Sequence, residues 1–411
     1  MNAEKAVRDF LKGISETNNV YFVGSTTKNS IEYKAGEVMT FKLKVKTEDK
    51  DVPVPYIYYS CEGEDGVKTD GYAKPSADGW FYFDTSVNRD GFVHVIAKAC
   101  DEDKKEIDGI DIFEGGAGAD IDKIVTGTEE PSDYLEFWQW IRDETAKTEP
   151  EVIFKEKFED ERFSGFELYD MRIKTTGSDF ASFFVTYPKN AQKGSLKLKM
   201  NFQGYGVCGN EYNAEDGIMN VSVNVHSIYN RQPDEYYDNL ANGELKEFGF
   251  SNEENKNPKT TYWAKVFIRD MQVLRFIKDN PLLNGKDFMF SGGSMGGMQA
   301  CNMAAHSGVA TQCHMFIPWM ADLGGTKNCN RLYGWRPDYT EGLKYFDTAI
   351  AAKYLKCPAD IGAGLGDYVC PPSGEAAIYN AISSPKEIRF VQNQTHPYRS
   401  LEPIQYVLCE K

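Results

Sequence analysis

Phe288-Met289-Phe290-Ser291-Gly292-Gly293-Ser294-Met295-Gly296-Gly297 is the stretch on which the reading of this chain turns. An apolar run leads into a G-x-S-x-G turn. A small-residue, helix-compatible segment then continues to about His306. Strand, sharp turn and helix in that order are the setting of a nucleophile elbow. The turn is strained, and bulky Cβ atoms there would strike the neighbouring strand and helix, so glycine flanks the serine. The bland alternative is a glycine-rich turn whose serine caps the helix. The strand before it and the helix after it favour a nucleophile.

Outward from the elbow, strands and helices alternate. Strand candidates lie at 166–173, 181–187, 196–202, 221–226, 288–290, 315–317, 359–363 and 388–391. Helical segments fall at 262–278, after Ser294, and at 373–381. This alternation predicts a mostly parallel sheet of eight strands covered on both faces. With the elbow after the fifth strand, the plan is that of an α/β-hydrolase. The polar stretch 252–259 is expected to be a solvated surface loop.

The first hundred residues differ. Met39, Phe41, Leu43 and Val45 alternate with Thr40, Lys42, Lys44 and Lys46, a period of two. Further short strands at 54–61, 80–85 and 92–99 are separated by turn residues, with no helical stretch between them. The pattern predicts a small antiparallel β-sandwich. Residues 1–115 are therefore assigned to an N-terminal accessory domain and 116–411 to the catalytic domain, joined through a helix within 130–150. Gly115-Gly116-Ala117-Gly118 reads as a linker or tight turn, since no βαβ unit surrounds it. In the helix, Ser132 is the expected N-cap, with Leu135, Trp138 and Ile141 at helical spacing.

A serine hydroxyl needs a base, which in this fold follows an acid in the chain order Ser, Asp, His. Of the five histidines, His94 falls in the sandwich, and His226, His306 and His314 precede the acid candidate. His396 remains as the base. The acid candidate is Asp367, at the end of the penultimate strand in Gly364-Leu365-Gly366-Asp367. Asp360 lies at the wrong end of that strand, and Asp322 is a weaker competitor. The oxyanion donors are expected to be the backbone N–H groups of Met295, after the nucleophile, and Tyr205, in Gln203-Gly204-Tyr205-Gly206 after the third strand. Tyr205 and Trp319 are also aromatic candidates for stacking on a sugar, although aromatic residues mostly fill cores.

The chain of 411 residues is long enough for two or three domains, and its formal net charge is −16. That charge disfavours nucleic-acid and anionic-membrane partners. No apolar run approaches a membrane span, and Met1 to Phe10 does not read as a signal peptide. The expected location is cytoplasmic, or secreted or periplasmic if a leader has been removed. The nine cysteines include no Cys-x-x-Cys pair, so a structural metal is not expected. Cys61 and Cys100 flank Trp80 as an immunoglobulin-type bridge would, but free thiols are the favoured reading.

Four segments together resemble carbohydrate esterase family 7, the acetyl xylan esterases and cephalosporin-C deacetylases. Phe202-Gln203-Gly204-Tyr205-Gly206 is similar to its oxyanion loop, with Gln203 where a histidine is usual. Ser291 to Gly297 resembles its elbow, with Met295 in place of Gln. The stretch Gly364 to Ser373 resembles its acid segment, and His396 falls at its base position. Its R-G-Q-G signature is absent, and His226-Ser227-Ile228-Tyr229 stands there instead. The resemblance implies a serine esterase that deacetylates acetylated xylan or xylo-oligosaccharides and needs no metal or organic cofactor. An esterase for feruloyl or other short acyl groups is the nearest alternative. A serine peptidase and a catalytically dead glycan-binding protein come after it. Relatives assemble into rings, so a homo-oligomer stays open, and the added sandwich could block or remodel it.

Overall fold

The computed structural model describes residues 20–410 except Ser178 and Tyr333. The leading segment Met1 to Phe10 lies outside the described residues. Seven strands come first: β1 (Tyr21–Thr26), β2 (Met39–Lys46), β3 (Tyr56–Gly63), β4 (Lys68–Ala73), β5 (Phe81–Thr85), β6 (Gly91–Cys100) and β7 (Phe113–Ala119). They form a three-stranded sheet, β1-β2-β5, and a four-stranded sheet, β4-β3-β6-β7. All pairings between these strands are antiparallel. The period-two alternation of β2 buries Met39, Phe41, Leu43 and Val45 between the sheets, against Val93, Val95 and Ala97 of β6.

The glycine run is not a linker. Gly115 to Gly118 lie inside β7, the edge strand of the four-stranded sheet. Their lack of side chains serves a close approach. A Cβ on Gly116 would sit 2.5 Å from the Val93 carbonyl oxygen and 2.9 Å from that of Leu365. Nor can Cys61 and Cys100 be bridged. Cys61 faces Val95 across the β3–β6 ladder while Cys100 faces Tyr56. The two rows are five residues apart, roughly 17 Å along a strand, and a disulfide spans at most about 7 Å between Cα atoms. All nine cysteines are free.

The second unit opens with α1 (Tyr134–Ala146). Its N-cap position is held by Asp133 rather than Ser132, without a side-chain cap bond. The buried stripe is Tyr134, Phe137, Trp138, Ile141 and Thr145, while Leu135 points outward at 52% exposure. The helical period thus starts one residue earlier than expected.

The main sheet comprises β8 (Val152–Phe158), β9 (Phe166–Lys174), β10 (Phe180–Pro188), β11 (Leu196–Phe202), β12 (Ile218–Val223), β13 (Leu283–Gly293), β14 (Gln312–Phe316), β15 (Ala359–Gly364), β16 (Lys386–Val391) and β17 (Gln405–Glu410). Its order is β17-β16-β15-β14-β13-β11-β12-β10-β9-β8. The eight expected strands are β9 to β16. An antiparallel strand at each edge, β8 and β17, extends the sheet to ten. The six strands from β12 through β11, β13, β14 and β15 to β16 run parallel.

Crossover helices include α2 (Asp234–Asn242), α3 (Tyr262–Ile277), α4 (Met295–His306), α5 (Gly325–Cys329), α6 (Thr348–Ala352) and α7 (Pro372–Ala381). Thr261 caps α3 by accepting from the Ala264 N–H at 3.1 Å. The stretch 252–259 is mostly exposed, but Asn255 within it is fully buried and donates to the Gly249 carbonyl at 2.9 Å. Among the described residues, no helix is long and apolar enough to cross a membrane.

Candidate active site

Ser294 sits between β13 and α4 with φ 54 and ψ −120, in the left-handed region that costs a residue with a side chain energy. Its flanking glycines are required by contact. A Cβ on Gly292 would lie 2.3 Å from the Gly296 backbone, and one on Gly296 would lie 2.2 Å from the Phe202 carbonyl oxygen. The elbow therefore packs directly on the end of β11, where the loop holding Tyr205 begins. Met295 is the first residue of α4, so its N–H belongs to the helix N-terminus, where no intrahelical acceptor is in reach.

That neighbouring loop is clamped. The Gln203 carbonyl accepts from Gln299 Nε2 at 3.3 Å, and the Gly206 carbonyl accepts from Gln203 Nε2 at 3.2 Å. His226 also faces the Gly206 carbonyl, through Nε2 at 3.0 Å. A carbonyl can only accept, so Nε2 carries the proton and Nδ1 accepts from the Tyr262 hydroxyl at 2.6 Å. Burial pushes the His226 pKa down to about 3, so the ring stays neutral. Sequence reasoning passed over His226 because it precedes the acid. Its place three residues beyond the end of a strand was the available signal.

Neither aromatic sugar candidate offers a free face. Trp319 is 1% exposed, stacks with Trp335 at 5.5 Å and donates to the Trp335 carbonyl at 2.6 Å. The Tyr205 ring stacks on Phe248 at 4.1 Å, and its hydroxyl donates to the Phe248 carbonyl at 3.0 Å. Both are core residues that shape the wall behind the loop of Gln203 to Gly206.

Asp367 and His396 meet, although 29 residues separate them in the chain. Asp367 is fully buried at the end of β15. Its Oδ1 accepts the N–H groups of Val369 at 2.9 Å and Cys370 at 2.8 Å. Its Oδ2 accepts from His396 Nδ1 at 2.9 Å. A carboxylate is acceptor-only, so Nδ1 holds the proton and Nε2 is left as a base. Among the described residues, no Ser294–His396 hydrogen bond is closed; such bonds commonly tighten only when substrate is bound.

The Cys370 thiol lies against the Ser294 hydroxyl. Burial first, then the Asp367 charge, holds its pKa well above the ordinary thiol value. A protonated thiol is no rival nucleophile. Asp367, Cys370 and His396 each present one ligand atom within 4.8 Å of the others, the spacing a metal ion would need. Three more carboxyls are notable. Glu375, one turn into α7, is buried without a hydrogen-bond partner, and burial together with Asp367 pushes its pKa well up. Asp322 is not near this cluster's acid position in role: its Oδ1 accepts from Thr126 Oγ1 at 2.9 Å and Gly127 N–H at 2.6 Å, tying down that segment. Asp360, the second residue of β15, pairs with His314 in the middle of β14.

The acetyl esterase Axe7A of Xylanibacter ruminicola is 25% identical over 275 residues, covering 63% of this chain. The chain spans 62% of the length of that relative. The acetyl xylan esterase from Paenibacillus sp. R4 shares the fold at a TM-score of 0.56 and 18% identity, covering 67% of this chain and 93% of that one. Acetyl xylan esterase 1 from Thermoanaerobacterium sp. JW/SL YS485 matches at a TM-score of 0.56 and 19% identity, covering 67% and 92%. The family model for acetyl xylan esterase (AXE1) matches residues 119–329 and 337–405, which include the elbow, the clamped loop, Asp367 and His396. The chain belongs to the acetyl xylan esterase (AXE1) family.

Proposed function

We propose that this protein is a serine esterase that removes acetyl groups from acetylated xylan or xylo-oligosaccharides. The observation that carries the reading is the Asp367–His396 hydrogen bond at 2.9 Å in a chain whose strained elbow presents Ser294. Family membership supports the acyl chemistry. In this mechanism Ser294 Oγ attacks the acetyl carbonyl carbon while His396 Nε2 takes its proton. Asp367 holds the imidazole in the productive tautomer and stabilises the imidazolium. The N–H groups of Met295 and Tyr205 receive the oxyanion, and each such donor is worth roughly 2.7–4 kcal/mol in the transition state. The proton passes from His396 to the leaving sugar alcohol. Water then attacks the acetyl-serine with the same base, acetate departs, and Ser294 regains its proton. The division near residue 115 into an accessory sandwich and a hydrolase unit is part of this reading, with β7 straddling it.

The test uses p-nitrophenyl acetate and acetylated xylan with wild type and Ser294→Ala. The expected result is a fall in kcat of about 10⁴-fold or more. Equal rates for the two proteins would defeat the serine mechanism. Acetyl, butyryl, feruloyl and peptide substrates then rank the acyl preference.

A further inference from the structure

The family match begins at residue 119, so nearly all of the sandwich lies outside it. Yet the loops bearing the acid and the base are pressed against that sandwich.

The base loop leaves β16 at Val391. Gln392, four residues before His396, is 1% exposed and reaches into the sandwich with both ends of its amide. Its Oε1 accepts the Gly116 N–H at 2.9 Å. Its Nε2 donates to the Gly116 carbonyl at 2.9 Å and to Ser25 Oγ at 3.0 Å. Asn393 follows with φ 53, a left-handed conformation that the bonds around it must hold. Its Oδ1 accepts the Glu114 N–H at 3.0 Å, and its Nδ2 donates to the Phe22 carbonyl at 3.3 Å.

The acid loop leans on the same strand. A Cβ on Gly366 would lie 2.0 Å from the Glu114 carbonyl oxygen, so backbone meets backbone there. Tyr368, next to Asp367, stacks on His94 of β6 with ring centroids 3.7 Å apart. His94 is itself fixed by Glu114 Oε1 at 2.8 Å. The outer face of the four-stranded sheet thus touches both loops within a few residues of the groups that must meet.

We propose that the sandwich is a positioning element of the esterase site: His94, Glu114 and Gly116 hold the loops of Asp367 and His396 in register. The proposal rests on the reading of Ser294, Asp367 and His396 as a triad. Its physical basis is that loops beyond strand ends are the mobile parts of a sheet protein. A displacement of about 1 Å at a reacting group costs roughly 100-fold in rate. Simple glue between domains makes a different claim. Glue variants lose melting temperature, while each molecule still folded turns over normally.

The test compares full-length His94→Ala, His94→Phe and Tyr82→Ala, the last on the exposed side of the other sheet. The readouts are kcat and KM on p-nitrophenyl acetate, thermal unfolding, and the downfield proton resonance of the Asp367–His396 hydrogen bond. His94→Ala is expected to lose about tenfold in kcat, with KM within about twofold and that resonance broadened or shifted. His94→Phe, which keeps a ring against Tyr368, is expected to recover most of the rate, and Tyr82→Ala to match wild type. Should His94→Ala not fold, Glu114→Ala carries the same test, since that side chain is 31% exposed. Unchanged kcat per folded molecule and an unchanged resonance would overturn the proposal. Ser294→Ala separates the two readings. If it is as active as wild type, the triad itself is wrong. If it is dead while His94→Ala is fully active, only the positioning role falls.

Discussion

The two halves of the candidate site are held by different means. Ser294 and the Tyr205 loop are supported from within the hydrolase unit: Gly296 packs on Phe202, and Gln299 and His226 grip the loop. Asp367 and His396 instead sit on loops that, besides bracing each other, lean on the sandwich through Glu114, Gly116 and His94. The difference teaches that groups brought together inside a family match can be backed by structure that lies outside it.

The largest expected effect lies on the acid side. Asp367→Asn keeps an acceptor for Val369 and Cys370 but turns an NH₂ toward His396, which forces the wrong tautomer. The fall in kcat is expected to be about 10⁴-fold. A smaller loss would mean that His396 finds its orientation without Asp367.

Next is the joint between the units. Glu64 and Arg331 are 1% and 3% exposed in side chain and pair at 3.4 Å, and Arg331 also binds Asp90 at 2.8 Å. Arg331→Ala strands the Glu64 charge, and its pKa is already pushed up by burial despite the arginine. Unfolding by denaturant should show a loss of about 3–5 kcal/mol. Two separate unfolding transitions in the variant would show that the sandwich and hydrolase can come apart.

Glycine substitutions sharpen the comparison directly. Gly296→Ala drives a Cβ into Phe202, and Gly366→Ala drives one into Glu114 of the sandwich. Each is expected to lower kcat by about 100-fold. Full activity in Gly366→Ala alone would mean that the sandwich gives way while the hydrolase sheet does not.

The last effect appears only on acidification. His226 is held neutral in the fold, its pKa lowered to about 3 from an ordinary 6.5. The folded state therefore binds fewer protons than the unfolded one. This stabilisation is complete above about pH 6.5 and is lost as pH falls toward 3, at up to about 1.4 kcal/mol per pH unit. Melting temperatures of wild type and His226→Gln across that range should diverge, with the variant falling less steeply. Parallel curves would show that His226 titrates normally.

Much of this was legible in the sequence because the chemistry is local. The elbow, Asp367 after a glycine-rich strand end, and a histidine beyond the last parallel strand each announce themselves within a few residues. The edge strands β8 and β17 were not seen. Val152–Phe158 mixes Lys and Glu with apolar residues and has little buried surface, so it gives a weak signal. The run Gly115 to Gly118 was misread because its reason lies far away, at Leu365 and Gln392. A glycine that makes room for a distant backbone looks, in one dimension, like a glycine that makes a turn. Leu135, Trp138 and Ile141 share a helical spacing, but a spacing of three fits two neighbouring helix faces, and the core takes Tyr134 and Trp138.

The bonds from Phe22 to Asn393 and from Ser25 to Gln392 join positions 371 and 367 residues apart. The sandwich strands must wait for loops that follow them by so many residues, so closure of so long a span comes late and slowly. Refolding should therefore recover its circular dichroism before any hydrolytic rate, which is expected to stay silent until β1 and the loop after β16 have met.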